Sequence, residues 1–177
     1  MAAAYGGPPQ QVSQENVRAI VLLDGQVTAI SGLAHMGWNQ GALLQPARAE
    51  SGAPNSWKLR RIRPLGAAPQ AYLVQASDRG EDVLWIATYK ALLRIEGARV
   101  RRVHELEGWP LIDSLVVTPD GAIHLGMRGG VGRLTPTWRG YQEAWLVPPA
   151  CAEVMPETCE CRRRAPAEHE PWPMTKP

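Results

Sequence analysis

The sequence repeats itself at a fixed distance of 39 residues. The segment 83–95, Val-Leu-Trp-Ile-Ala-Thr-Tyr-Lys-Ala-Leu-Leu-Arg-Ile, aligns without a gap on 122–134, Ala-Ile-His-Leu-Gly-Met-Arg-Gly-Gly-Val-Gly-Arg-Leu. Arg94 falls on Arg133, and apolar residues coincide at five pairs of positions: 83/122, 84/123, 86/125, 92/131 and 95/134. A period of about 40 residues is typical of folds in which one supersecondary unit is stacked on copies of itself. The period therefore favours a repeat architecture, a class that reveals its scaffold more readily than its chemistry.

Each repeat is predicted to contain four β-strands. Between residues 17 and 147 the apolar segments are short, rich in Val, Ile, Leu, Tyr and Trp, and mostly bounded by turn residues. Tight hairpins are predicted at Asp24-Gly25, Glu96-Gly97, Thr118-Pro-Asp-Gly121 and Gly129-Gly130, because glycine supplies the left-handed conformation that such turns need. The predicted strands are 71–74, 83–88, 92–95 and 100–106 in one unit, 115–117, 122–127, 131–134 and 141–147 in the next, and 17–23, 27–30, a poor 43–44 and 57–62 in a degenerate unit before them.

The strand 83–88 is apolar on both faces. Leu84 and Ile86 point one way and Trp85 and Ala87 the other, because side chains alternate along a strand. A strand of this kind must be covered on both sides. We therefore expect its sheet to lie between two neighbouring sheets, as in a propeller.

The repeat resembles that of the bacterial two-component-regulator β-propellers, whose pattern is approximately Asp-Gly-x-Leu/Ile-Trp-Ile/Leu-Gly-Thr-x-x-Gly-Leu/Val-x-Arg. In the first copy Trp85 and Thr88 match that pattern, whereas Ala87 and Ala91 replace its glycines. The second copy keeps Asp120, Gly121, Gly126, Gly130 and Arg133, with His124 in place of Trp and Met127 in place of Thr. The resemblance covers residues 70–147 and implies antiparallel four-stranded blades with a sensory or binding role.

The sequence predicts an all-β fold of propeller-like, antiparallel four-stranded blades with disordered ends. The repeats are placed at about 17–66, 70–107 and 111–147, between an Ala-, Gly-, Pro- and Gln-rich lead-in at 1–16 and a proline-rich irregular tail at 148–177. Closed propellers typically have 4–8 blades, so about three blades would form an incomplete ring. A fragment of a longer protein, a ring completed by self-association and an open stack of sheets all remain open.

Charge and hydropathy narrow the range of partners. A net charge of +2, from 19 basic and 17 acidic residues, predicts no nucleic-acid partner, and the basic clusters at 58–63, 99–102 and 162–164 are interpreted as solvated. No apolar run is long enough for a membrane span. The sequence from Met1 lacks the pattern of a signal peptide, so we expect a cytoplasmic location, or a periplasmic or extracellular one if the true start lies upstream.

The sequence offers little catalytic or metal chemistry. It contains no nucleophile elbow, phosphate loop or dinucleotide motif, so we predict no catalytic residue and no cofactor. Weak metal candidates lie in the tail, but a Cys-x7-Cys-x-Cys spacing is not typical of zinc sites. Those candidates are Cys151, Cys159, Cys161 and His169.

Residues at or near the predicted turns are the better candidates for function, because binding residues concentrate on loops. The candidate ligand-binding residues are Tyr89, His124, Arg128, Trp109 and Trp138. The structural alternatives are that His124 packs within a sheet and that the tryptophans cover sheet edges.

The function that we expect is that of a non-catalytic binding or interaction module, for which a sensory role is open. Its ligand would be a protein, a small molecule or a glycan, and a homo-oligomer or a larger assembly is possible. The alternatives are a propeller-scaffold lyase or hydrolase with its active site in a central funnel, and an inactive fragment of a larger propeller protein.

Overall fold

The computed structural model describes residues 13–48, 57–76 and 80–147. These residues form twelve β-strands and no helix. The strands are β1 (Val17–Leu23), β2 (Gln26–His35), β3 (Trp38–Arg48), β4 (Trp57–Pro64), β5 (Pro69–Ala76), β6 (Asp82–Thr88), β7 (Ala91–Glu96), β8 (Arg99–Glu105), β9 (Ile112–Val117), β10 (Ile123–Met127), β11 (Gly130–Thr137) and β12 (Gly140–Leu146).

The strands form three antiparallel sheets of four consecutive strands each. The first sheet contains β1 to β4, the second β5 to β8 and the third β9 to β12, each in sequence order. The prediction of an all-β chain built from antiparallel four-stranded units is confirmed. The proposed lead-in and tail fall mostly outside the described residues, while residues 13–16 precede β1 without forming a strand.

Two of the four predicted hairpin turns, at 24–25 and 118–121, lie where the sequence places them. The other two are displaced by one residue, to 97–98 and 128–129, because Glu96 ends β7 and Gly130 begins β11. Asp24 and Gly25 both have positive φ, 51° and 72°, as a two-residue hairpin turn requires. Gly121 is also left-handed, with φ of 83°. The two clear repeats share one register, since Trp85 lies opposite Arg94 across β6 and β7, and His124 lies opposite Arg133 across β10 and β11.

The first sheet is more regular than its sequence suggests. The predicted strand 27–30 is the first half of β2, and 43–44 is the middle of β3; these strands are 10 and 11 residues long. Their outer halves contain Gly32, Asn39, Gln40 and Gly41, which have low strand propensity and obscured the strands in the sequence. Cross-strand hydrogen bonding therefore extends these strands beyond their apolar centres.

The sheets pack face to face in sequence order. Leu84 and Ile86 of β6 belong to a buried cluster with Ile30 and Leu43 of the first sheet. Trp85 and Ala87 belong to a second cluster shared with the third sheet; its members there include Ile123, Leu125, Leu134 and Trp145. The expectation that this strand is covered on both faces is therefore confirmed.

The packing has a direction. We call the face of the second sheet that carries Trp85 its front, and the face that carries Leu84 its back; the same terms apply to equivalent positions in the other sheets. The front of the first sheet, with Ile30, packs on the back of the second, and the front of the second packs on the back of the third, with Leu125. The back of the first sheet and the front of the third are the two outer faces of this stack.

The connection from β4 to β5 holds the first two sheets together. The N–H of Leu65 donates to the carbonyl of Gly41 at 2.8 Å, and the N–H of Ala68 donates to Oδ1 of Asn39 at 2.7 Å. The carbonyl of Ala68 in turn accepts from the N–H of Tyr89 at 3.1 Å. The connection is thus hydrogen-bonded to both the β2–β3 and the β6–β7 hairpin.

Thr88 closes the β6–β7 hairpin from a buried position. Its hydroxyl donates to the carbonyl of Ala91 at 2.9 Å and accepts from the N–H groups of Lys90 at 3.2 Å and Ala91 at 3.0 Å.

We expect Thr88→Val to lower the free energy of unfolding by about 2 kcal/mol, because the backbone groups lose these partners without access to water. Denaturant unfolding measures this loss. Thr88→Ser keeps the hydroxyl and is expected to lose less than half as much; equal losses would contradict the role of these hydrogen bonds.

Candidate binding site

The five residues chosen from the sequence do not share one face. Tyr89, Trp109 and Arg128 lie in the β6–β7, β8–β9 and β10–β11 connections, at one end of the sheets, whereas Trp138 lies between β11 and β12 at the opposite end. His124 lies within β10, on the front of the third sheet. Successive connections of an antiparallel meander alternate between the two ends, which explains the separation.

Trp109 is engaged in packing. Its ring centroid lies 4.6 Å from that of Trp145, and it meets the ring of His104 edge-on at 5.9 Å. His104 Nε2 lies 3.3 Å from Oε2 of Glu143. Trp109 therefore seals the contact between the second and third sheets at this end, as the alternative interpretation of the tryptophans expects.

The other sequence candidates occupy varied surroundings. Tyr89 is half-buried in its hairpin, Arg128 is exposed in the β10–β11 turn and His124 is half-buried. The four metal candidates Cys151, Cys159, Cys161 and His169 lie outside the described residues. Within the residues that the structure describes, no group of three or more His, Cys, Asp or Glu side chains could hold a metal ion.

A cleft opens between the second and third sheets, at the end where Trp138 lies. It consists of two adjoining cavities of about 660 and 550 Å³, which share Trp85, Arg94, Val117 and Gly121. We call it the arginine cleft because five arginines line it. These are Arg94, Arg99, Arg101, Arg102 and Arg139.

Cross-strand pairing explains how the arginines come together. Trp85, Arg94 and Arg101 lie in one row across β6, β7 and β8. Directly opposed side chains point to the same face of an antiparallel sheet, so Arg94 and Arg101 extend the row that Trp85 begins in the core. The guanidinium of Arg94 lies 5.7 Å from the Trp85 ring centroid, and Trp85 Nε1 donates to Oε1 of Gln75 at 3.2 Å. The row therefore leads from the buried ring of Trp85 to the two polar side chains of Arg94 and Arg101.

Positive charge exceeds negative charge in the lining. Among the described residues that line the two cavities, Glu96 is the only carboxylate, and it pairs with Arg94 at 3.3 Å. Arg102 pairs with Glu105. In the described part of the chain, Arg99 and Arg101 have no carboxylate partner, so their guanidinium groups remain available to an anion.

The turn at the edge of the cleft holds a carboxylate firmly. Hydrogen bonds from the Thr118 hydroxyl and from the Ala122 N–H lower the pKa of Asp120 below its ordinary value. Thr118, Pro119 and Gly121 of this turn line the cleft. Asp120 therefore stays ionised and its charge is satisfied locally by the turn.

Trp138 and Arg139 form a flat surface at the mouth of the cleft. The guanidinium carbon of Arg139 lies 4.0 Å from the Trp138 ring centroid, in cation–π geometry. Trp138 is 85% exposed. An exposed indole stacked on a cation offers a ligand both an aromatic face and a positive charge.

The chemistry of this cleft suits binding. Arginine remains protonated at neutral pH and presents up to five N–H donors in a planar group that matches carboxylate, sulfate and phosphate oxygens. The sequence interpretation placed residues 99–102 on a solvated strand face and so missed the cleft. The signal that could have indicated it is the alternation of Arg99 and Arg101 opposite Glu96 and Arg94, on the face that carries Trp85.

Comparisons with protein-family models, with curated proteins and with solved structures find no match to this chain. Among the described residues there is no helix long and apolar enough to cross a membrane.

Proposed function

We propose that this protein is a non-catalytic binding module on a β-propeller-like scaffold, and that the arginine cleft holds its ligand. The three sheets, each packed with its front on the back of the next, are compatible with propeller blades and with the resemblance to regulator repeats. The observation that carries the proposal is the pairing of two arginines without carboxylate partners, Arg99 and Arg101, with the exposed ring of Trp138 around one cleft.

The ligand that fits is an acidic glycan. Arg99 and Arg101 favour two anionic groups, since a guanidinium binds a carboxylate or sulfate through two parallel hydrogen bonds. The Trp138 ring favours a flat ring face such as that of a pyranose, and its position beside Arg139 favours an acidic sugar over a neutral one. The combined volume of the cavities accommodates a short oligosaccharide rather than a single ion.

Calorimetric titration with an oligogalacturonate, and with a neutral galactose oligomer of the same length, tests this proposal. We expect the acidic oligomer to bind and the neutral one to bind at least about tenfold more weakly. The variant Arg99→Gln/Arg101→Gln is expected to weaken acidic binding by about 30-fold, because two charge-assisted contacts are lost. The length of the oligomer should be unchanged after incubation, as expected of a binding module.

The control variant is Arg18→Gln/Arg60→Gln, which removes the same charge from exposed positions on the first sheet. It is expected to bind as the unaltered protein does. An equal loss in both variants would indicate general charge attraction and contradict a specific cleft. Failure of the acidic oligomer to bind, or equal binding of the neutral one, would contradict the proposed ligand class.

A further inference from the structure

Exposed apolar side chains are concentrated on the back of the first sheet. Ile20, Leu22 and Trp38 are 68%, 63% and 63% exposed. Register places them on the same face as the buried Ala29 and Ala42, since Ile20 lies opposite Ala29 and Leu22 lies opposite Val27. Three more exposed apolar side chains complete this face, which we call the back patch: Val27, Leu33 and Trp57.

The centre of the back patch resembles a packing face. Ala29, Ala42 and Leu44 form a small buried cluster there, with Leu59 half-buried against it. The long side chains that surround this cluster are exposed rather than folded into a core. The same face also carries an ion pair, since the Glu15 carboxylate accepts from the Ser31 hydroxyl at 3.3 Å and pairs with Arg61 at 2.6 Å. Exposed apolar side chains grouped beside such polar residues typically mark an interaction site.

Two of the three back faces are covered within the molecule, each by the front of the preceding sheet. The back of the second sheet is covered by the front of the first, and the back of the third sheet is covered by the front of the second. Since the same directional contact recurs, the matching partner for the back patch is another front face. The front of the third sheet is the one front face that no described sheet covers.

The front of the third sheet has a composition suited to that contact. Val116 is 55% exposed there, and Val131 and Leu146 lie opposite each other on the same face. His124 and Arg133 occupy the positions that Trp85 and Arg94 hold on the front of the second sheet. That second front packs against the third sheet with an arginine in the same row, so Arg133 is compatible with a packed face.

We propose that a second copy of this chain docks the front of its third sheet onto the back patch of the first copy. The same contact forms a second time in the opposite direction, with the front of the first copy's third sheet on the back patch of the second copy. The two contacts are equivalent and related by a two-fold axis, so the dimer forms a closed ring. The pair contains six sheets, which lies within the typical range of 4–8 for closed propellers.

Composition disfavours the chain's own terminal segments as the cover. Residues 148–177 contain seven prolines, and proline cannot donate to a strand ladder. Residues 1–12 are mainly Ala, Gly, Pro and Gln. Neither segment has the alternating apolar pattern of a strand that could supply a front face.

The test is the mass in solution, by light scattering at several concentrations, of the full chain and of single variants. We expect a dimer for the unaltered protein. Ile20→Glu on the back patch and Val116→Glu on the opposite face should each weaken the dimer about 100-fold and give folded monomers, since each places a charge in both contacts. Leu111→Glu, at a 50% exposed position outside both faces, is the control and should remain dimeric with an unchanged circular dichroism spectrum.

Mixing the two variants distinguishes this arrangement from others. A mixture of Ile20→Glu and Val116→Glu retains one contact free of both substitutions, between the intact back patch of one variant and the intact front of the other. We therefore expect the mixture to form heterodimers that neither variant forms alone. A symmetric back-to-back dimer would be broken by Ile20→Glu only and would contradict the proposal. A monomeric unaltered chain, or a ladder of ever larger species, would also overturn it.

Discussion

Replacing Trp85 with Ala is expected to lower the free energy of unfolding by about 4 kcal/mol. The ring is 6% exposed and lies in the cluster that joins the second and third sheets. Its loss removes a large apolar area, leaves a cavity between two sheets and removes the donor to Gln75. Denaturant unfolding followed by circular dichroism measures the change.

Trp138→Ala is the matched control for this prediction. The same residue type is removed, but the Trp138 ring is 85% exposed, so we expect a change in unfolding free energy below about 0.5 kcal/mol. The same variant should bind the acidic oligosaccharide several-fold more weakly. If the two tryptophan variants lost equal stability, the position of Trp85 between the sheets would be wrong.

The architecture is predictable from sequence because two local signals agree. Alternation along 83–88 places Trp85 and Leu84 on opposite faces, and the Asp24-Gly25 turn has the left-handed geometry that its residue types demand. Both signals depend on nearest neighbours along the chain or across one turn. They therefore survive without any knowledge of tertiary contacts.

The first sheet shows where local signals fail. The strands β2 and β3 extend through Gly32 and Gly41, which weaken any strand prediction. These glycines are required by the connection that crosses them, a contact between residues far apart in sequence. Propensity cannot report such a contact, because it is a property of the assembled sheets.

The candidate site was missed for a related reason. Tyr89 and Trp138 look alike as aromatic residues near turns, yet they lie at opposite ends of the sheets. The arginine cleft instead depends on β8, whose Arg99 and Arg101 appear as a solvated basic run until cross-strand register aligns them with Glu96 and Arg94. Register between strands determines which charges share a cleft, and a single strand's sequence does not contain it.

The second large effect is expected at Gly41, where a methyl group has no room. A Cβ at this position would lie 2.4 Å from the carbonyl oxygen of Ala67, which belongs to the backbone connecting the first two sheets. Since a backbone segment cannot rotate away as a side chain can, Gly41→Ala must displace the connection and its hydrogen bond from Leu65. We expect a loss of about 3 kcal/mol in the free energy of unfolding.

Gly126→Ala is the comparison that isolates the cause. There the added methyl group would lie 2.1 Å from Oγ of Ser114, a side-chain atom that a rotamer change can move. We expect the free energy of unfolding to fall by about 1 kcal/mol at the same protein concentration, and most of this loss to be recovered in Gly126→Ala/Ser114→Ala. No substitution of a side chain can rescue Gly41→Ala in this way, because the obstacle is a carbonyl group. A free energy of unfolding of Gly41→Ala equal to that of the unaltered protein would show that the connection does not lie closely against β3 and would contradict this prediction.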